Sequence, residues 1–565
     1  MAESPRANSM SMHLPRRTPV IPVIPHPTRT VVGAAGALAL GPDSSVRAEE
    51  PVLAGIAQRF VDDVVDDTGL HLILGGGPSA SSIVLSLVGS LSVEFPPPLG
   101  LSPDGGDPVN ESYRLTVTAT GVTVEALVPT GIVRGLATLR QLISASLTED
   151  ATALLDEVLI DDSPRFAWRG LSLDVVRTFF STEQIRRVLD AMALFKMNVL
   201  HLHLSDDQGW RIEIPRWPEL TEAGADGAMG DRPGGYYTRH EFAELVTYAA
   251  DRSIVILPEI DMPGHSGAVL RAYPELTSSM GPNLLDPNHP GVLEFASDVI
   301  AALAQIAPGP FVHLGGDEAF GMQPEAYATF VDAARTLAVA AGLRPIFWQE
   351  ASRSSLGSSD IIQHWMALDP EIEALLLSGD LGDLAEGVPE DLGIPTAMLT
   401  TIAEMFRIAQ TDVARAIERG AKVILSPASH LYLDRPYAEE PLDPTQHDLH
   451  RRLGLKVYPR RTIAESFDWD PVEALGEHPE AIAGVEAALW CETIATIDEL
   501  EFMLLPRLAG VAERSWASGP GASWAEYRLR LGPQAPLWHH RGWRYFTSSL
   551  VDWATSPTTE DIATP

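Results

Sequence analysis

The sequence predicts an α/β fold: a (β/α)8 TIM barrel preceded by a small α+β domain. Two observations carry this. Beyond Arg165, eight short apolar runs alternate with amphipathic helical segments. Acids, aromatic residues and an arginine collect at the C-terminal end of nearly every run, where barrel enzymes build their sites. Before Arg165 strand and helix patterns mix without catalytic spacing, and the 565 residues suit about two to four domains.

Taken in order, residues 1–30 are Pro-rich and read as a disordered tail. An α+β domain over 31–163 opens with VVGAAGALAL (31–40) as its first strand. PVLAGIAQRFVDDV (51–64) and GIVRGLATLRQLI (131–143) have helical spacing, while 111–128 alternates with period two around Gly121 and reads as a hairpin. The barrel is placed over 164–550, with a second disordered tail at 551–565. Its strands are expected at 170–176, 199–204, 253–261, 311–318, 345–350, 361–366, 421–427 and 483–490. Ser181 with Gln184, and Thr238 with Glu241, fit capping boxes at helix starts. No G-x-G-x-x-G or phosphate-binding loop follows a strand, so no nucleotide cofactor is expected, and no other cofactor is indicated.

Composition narrows the function classes. Apolar residues at 45% and charged residues at 21% exclude wholesale disorder. A net charge of −36 argues against nucleic-acid or anionic-membrane partners. Cys491 is the single cysteine, which excludes an intrachain disulfide and a thiolate zinc cage. No apolar run reaches the ~20 residues of a membrane span, and the N-terminus lacks a secretory pattern, so a cytoplasmic location is expected, as monomer or homodimer.

The chemistry is read from the strand ends. Asp174 and Arg177 close the first strand, and His201 and His203 precede Asp206 on the second. Glu259, Asp261 and His265 follow the third, and Asp317 and Glu318 the fourth. Trp348, Trp365 and Trp490 end three others, with Tyr432, Asp434 and Glu492 close behind. Indoles around carboxylates suit a sugar, whose CH-rich face stacks on rings while its hydroxyls bond acids and arginine. Glycosidases normally flank the bond with two separated carboxylates. The best pair here, Asp317 and Glu318, is adjacent, and neighbours at a strand end diverge. That suits substrate assistance, in which Glu318 protonates the leaving oxygen and Asp317 holds the N–H of a 2-acetamido group attacking C1. A rival reading takes His201-Leu202-His203, with His265, His313 and Asp317, as the metal site of an amidohydrolase; it gives no reason for three strand-end tryptophans, and no metal is assigned.

FAWRGLSLDVVRTFF (166–180), NVLHLHLSDDQGWRIEI (198–214), PEIDMPGHSGA (258–268), HLGGDEAF (313–320) and VEAALWCET (485–493) together resemble family 20 glycoside hydrolases, the β-N-acetylhexosaminidases. The resemblance covers about residues 165–550, and the segment before it resembles the family's preceding α+β domain. It implies a retaining exo-hydrolase of terminal β-linked GlcNAc or GalNAc on oligosaccharides or glycoconjugates. It implies Glu318 as general acid/base, Asp317 as the residue orienting the acetamido group, and Tyr432 as the donor to the acetamido oxygen. Trp348, Trp365 and Trp490 match the walls of the sugar subsite. Arg177 matches the grip on the 3- and 4-hydroxyls, Asp434 and Glu492 the partners of the 4- and 6-hydroxyls, and Asp206 with His265 a pair positioning Glu318. Two departures concern the leaving-group side: the long segment 366–420, and Val457, with Tyr458 beside it, where several members stack a tryptophan. A lacto-N-biosidase-like or transglycosylating activity is the alternative within this fold.

Overall fold

Period-two patterning in the first part of the chain becomes a seven-stranded sheet, and the apolar runs beyond it close into a barrel. The computed structural model describes residues 20–75, 81–367, 369, 373–374, 396–518 and 523–554.

The N-terminal domain holds β1 (Arg29–Val32), β2 (Leu38–Leu40), β3 (Ser45–Ala48), β4 (Ile73–Leu74), β5 (Ser82–Leu87), β6 (Tyr113–Thr118), β7 (Gly121–Ala126), β8 (Ala153–Leu155) and β9 (Val158–Asp162). The sheet order is β1-β9-β6-β7-β5-β3-β4, with β2 and β8 as a separate pair. The expected hairpin is β6–β7, and the two expected helices are α1 (Ala54–Thr68) and α2 (Pro129–Ala145). They bury Phe60, Val64, Ile132 and Leu139 against Leu115, Val122 and Val124 of the sheet.

Three expectations need correction here. Residues 31–40 form parts of two strands rather than one, because the chain turns at Gly36, at φ +58°, and sends β1 to β9 but β2 to β8. The Pro-rich stretch is packed from residue 21 onward instead of forming a tail to residue 30. Val23 and Ile24 are fully buried, the Val23 carbonyl accepts from Arg530, and Ile24 exchanges two hydrogen bonds with Gln141. Similarly Val551 is buried and the Trp553 indole donates to the Ser548 carbonyl; residues 555–565 of the second expected tail lie outside the described residues.

The barrel comprises β10 (Arg169–Asp174), β11 (Val199–His203), β12 (Val255–Glu259), β13 (Phe311–His313), β14 (Arg344–Trp348), β15 (Ile361–His364), β16 (Lys422–Leu425) and β17 (Ile482–Leu489). All eight are parallel and close in chain order. Both expected capping boxes form, at Ser181 and Thr238. Strand β13 stops at His313, well short of residue 318, because Gly315 and Gly316 follow with φ +65° and +97°, values that end an extended strand. The two domains meet at Glu111, which binds Arg134 of α2 at 2.6 Å and Arg169 of β10 at 2.7 Å. Among the described residues no helix is long and apolar enough to cross a membrane.

Candidate active site

The strand register sets the floor of the site. Asp174, His203, Glu259 and His313 stand side by side across β10–β13, all buried. Asp174 accepts from the backbone N–H of Val176 and Arg177, turning the chain so that Arg177 rises from β10; its other oxygen accepts from the Cys491 N–H on the β17 loop. Arg232 fastens the same loops by donating to the carbonyls of Arg177, Cys491, Glu492 and Ile494.

The loop after β13 carries the carboxylate pair. A Cβ on Gly315 would lie 1.7 Å from Asp261 Oδ1, so only glycine lets Asp261 come this close. The Gly316 N–H then donates to Asp261 at 3.0 Å, and the Tyr327 hydroxyl donates to the Gly316 carbonyl at 2.5 Å. Asp317 hydrogen-bonds Asp261 side chain to side chain. Burial, then the neighbouring Asp261, push Asp317 well above the usual carboxylate range, and burial raises Asp261 to about 8. Two carboxyls in contact, one buried and one largely so, share a proton.

Glu318 is about a third exposed. Its Oε2 lies 3.4 Å from His265 Nε2, which is 3.7 Å from Asp317. Both Glu318 (φ +45°) and His265 (φ +49°) occupy the left-handed region, which costs a non-glycine residue about 1–3 kcal/mol. The strain therefore falls on the two groups that face one another. The other His265 nitrogen meets Asp206 at 3.2 Å. Burial opposes charge on His265, but Asp206 and Asp317 outweigh it and raise its pKa well above the ordinary value. Asp206 in turn is held well below the carboxylate range, burial notwithstanding, by Arg177 at 2.8 Å and by His265.

Around these groups stand aromatic walls. Trp348 and Trp490 have ring centroids 6.0 Å apart; Tyr432 is 6.0 Å from Trp490, and Trp365 lies parallel to Tyr432 at 6.5 Å. Burial pushes the Tyr432 phenol up, so it stays a neutral donor. The Arg177 guanidinium sits 5.5 Å from the Trp490 ring centroid. Asp434 and Glu492 are stationed beyond, and among the described residues the Asp434 carboxylate has no side-chain hydrogen-bond partner. Burial lifts Asp434 to about 8 and raises Glu492 as well. The structure thus brings all eleven sequence-predicted residues to one end of the barrel.

Other contributors carried no sequence role. Glu350 accepts from the Trp365 indole at 3.2 Å. Tyr458 packs edge-on to Tyr432 at 5.9 Å and is raised by burial and by Asp434 and Glu492, so it belongs to the pocket while the sequence singled out Val457. The segment 366–420 lies partly outside the described residues. Its described helix Thr396–Ala409 places Phe406 6.3 Å from Trp365 and Met405 in the same cluster. Asp369 of that segment ion-pairs with Arg435 and Arg461, tying it to the loop that bears Asp434. Only packing reveals these contacts.

The H-x-H of the rival metal reading has each of its nitrogens within 3.1 Å of a carboxylate. His201 meets Glu486 at 2.8 Å and Glu259 at 3.1 Å; His203 meets Glu259 at 2.7 Å and Asp206 at 2.8 Å. Against burial, Glu259 raises His201 to about 9 and His203 to about 10.

Comparison with known proteins agrees with this geometry. Residues 166–380 and 393–519 match the family described as Glycosyl hydrolase family 20, catalytic domain, and residues 20–163 match domain 2 of that family. A β-N-acetylhexosaminidase of Cellulomonas fimi is 35% identical over 456 residues, covering 79% of this chain and 82% of the relative. The family 20 β-N-acetylhexosaminidase of Streptomyces coelicolor A3(2) superposes with a TM-score of 0.77 at 32% identity, covering 95% of this chain and 99% of that one. A mutant Streptomyces plicatus β-hexosaminidase in complex with the product GlcNAc gives the same score and identity over 96% and 99%. With both domains matched and the barrel's glycine turn, carboxylates and indoles in place, the chain belongs to glycosyl hydrolase family 20 and is a glycosidase of the β-hexosaminidase kind.

Proposed function

We propose that the enzyme removes terminal β-linked N-acetylhexosamine by substrate-assisted catalysis with retention of configuration. The observation that supports this best is the closeness of the adjacent pair: Asp317, hydrogen-bonded to Asp261, and the more exposed Glu318 lie 3.7 and 3.4 Å from the same His265 nitrogen. Carboxylates this close together do not flank C1 as acid and nucleophile, so the 2-acetamido oxygen fills the nucleophile's role. Docking of the acetamido N–H calls for an acceptor, so the proton shared by the pair passes to Asp261 and leaves Asp317 anionic beside the developing oxazolinium charge. Tyr432 donates to the acetamido oxygen, and Glu318 gives its proton to the leaving oxygen. Water then attacks C1, returning its proton to Glu318 and reopening the ring. Trp348, Trp365 and Trp490 enclose the sugar, with Arg177, Asp434 and Glu492 at its hydroxyls. The protein acts in the cytoplasm on short glycans, a location that cell fractionation of the native host checks.

The test is 4-nitrophenol release from β-GlcNAc, β-GalNAc and β-glucose glycosides, by wild type and Glu318→Gln. Turnover restricted to the acetamido sugars, unaffected by EDTA and lost in the variant, is expected. Equal turnover of the glucoside overturns the mechanism, because that sugar has no internal nucleophile.

A further inference from the structure

Below the reacting groups, imidazoles and carboxylates alternate in single file through the barrel interior. Glu486 of β17 meets His201 at 2.8 Å, and His201 lies 3.1 Å from Glu259. Glu259 meets His203 at 2.7 Å, His203 meets Asp206 at 2.8 Å, and Asp206 reaches His265 at 3.2 Å. His265 then approaches Glu318 at 3.4 Å. The first five members are essentially inaccessible to water.

We propose that this file positions Glu318 for proton transfer, with His203 and Glu259 as positioning residues that act through Asp206 and His265. The inference rests on the reading of Glu318 as acid/base. The argument is one of valence. A neutral imidazole has one N–H and one lone pair, so it satisfies two flanking carboxylates only when both nitrogens carry protons. His203 stands between two such oxygens and is therefore a donor at both ends. Its N–H to Asp206 adds to that of Arg177 on the same oxygen, leaving the second oxygen for His265. His265 is thereby fixed as a donor toward Glu318, in a backbone conformation that imidazole alone does not favour.

Every charged neighbour bears on this balance. Glu259 faces His201, His203 and, at 2.9 Å, His313, which burial keeps below its usual pKa and which therefore adds little positive charge. Asp206 faces Arg177, His203 and His265, with Asp207 next to it. His203 also abuts the uncharged Trp490 ring at 5.2 Å. Glu318 faces His265, its neighbour Asp317 and, from the loop at 453–462, the Tyr458 phenol. Glu486 is braced by the Trp168 indole at 2.9 Å and Gln363 at 3.1 Å. Removing the His203 cation takes positive charge away from this path and makes Glu318 hold its proton more tightly.

The test compares wild type, His203→Gln and Glu259→Gln on two β-GlcNAc aryl glycosides, one with a 4-nitrophenyl and one with a 4-methoxyphenyl leaving group. A poor leaving group depends more on the acid, so both variants should lose about tenfold more kcat/KM on the methoxyphenyl substrate than on the nitrophenyl one. His203→Gln should also move the alkaline limb of kcat/KM upward by about half a unit to one unit, while the affinity for GlcNAc as product inhibitor changes less than about threefold. Equal losses on both substrates with an unmoved limb overturn the proposal and leave a structural role. Because either variant can fail to fold, nitrogen-15 histidine spectra of the wild type supply a second measurement. At least two buried rings should remain doubly protonated at pH 8, and neutral rings there overturn it. Wild type inactive on every acetamido glycoside instead fails the assignment of Glu318, a result distinct from an active enzyme whose variants lose rate evenly.

Discussion

Replacing Asp317 with asparagine separates charge from shape. The side chain is 14% exposed, it hydrogen-bonds Asp261, and one of its oxygens lies 3.7 Å from His265. Asparagine fills the same volume and keeps one acceptor, but it removes the negative charge that faces the oxazolinium ion. Opposite charges about 4 Å apart at an effective dielectric of about 20 interact by about 4 kcal/mol, which corresponds to about a thousandfold in rate. kcat for 4-nitrophenyl β-GlcNAc should fall by about that factor. Stability should move the other way: the variant replaces a carboxyl whose ionisation burial opposes with a neutral amide, so thermal unfolding of Asp317→Asn should occur at or above the wild-type temperature. A loss under tenfold in a folded variant, measured by initial rates alongside calorimetry, refutes the claim that charge at this position drives the reaction.

Three more outcomes follow from the same structure. Gly315→Ala puts a Cβ 1.7 Å from Asp261 Oδ1 at a φ of +65°, so activity and melting temperature should both drop sharply, whereas Gly342→Ala, with open space around it, should cost far less of either. Asp434 has its folded pKa raised to about 8 by burial, so its contribution to stability is fully present below the unfolded carboxylate value and is lost as pH rises toward 8; Asp434→Asn should therefore lose less melting temperature between pH 5 and 8 than wild type does. Glu111→Gln leaves Arg134 and Arg169 buried without their counter-charge and should destabilise the domain junction by about 3–5 kcal/mol, read by denaturant unfolding, with little change in KM.

Much of the site was legible in the chain. The eight apolar runs, the capping boxes at Ser181 and Thr238, and the acids and indoles after the strands are local patterns, and local patterns survive because hydrogen bonding within a helix or turn depends on neighbours in sequence. The strand ends were harder: the expected strand to residue 318 stops at His313, because left-handed φ values are a property of the folded loop.

By itself, then, the sequence determined the barrel, its preceding domain and the eleven candidate residues. Tertiary structure alone decided that Asp317 pairs with Asp261, that Asp369 bridges to Arg435 and Arg461, and that Tyr458 joins the pocket. It also decided that six side chains from β11, β12, β17 and two loops line up beneath Glu318. Strand alternation states which side chains point inward. Which of them touch depends on the register between strands far apart in the chain, and that is settled only when the barrel closes.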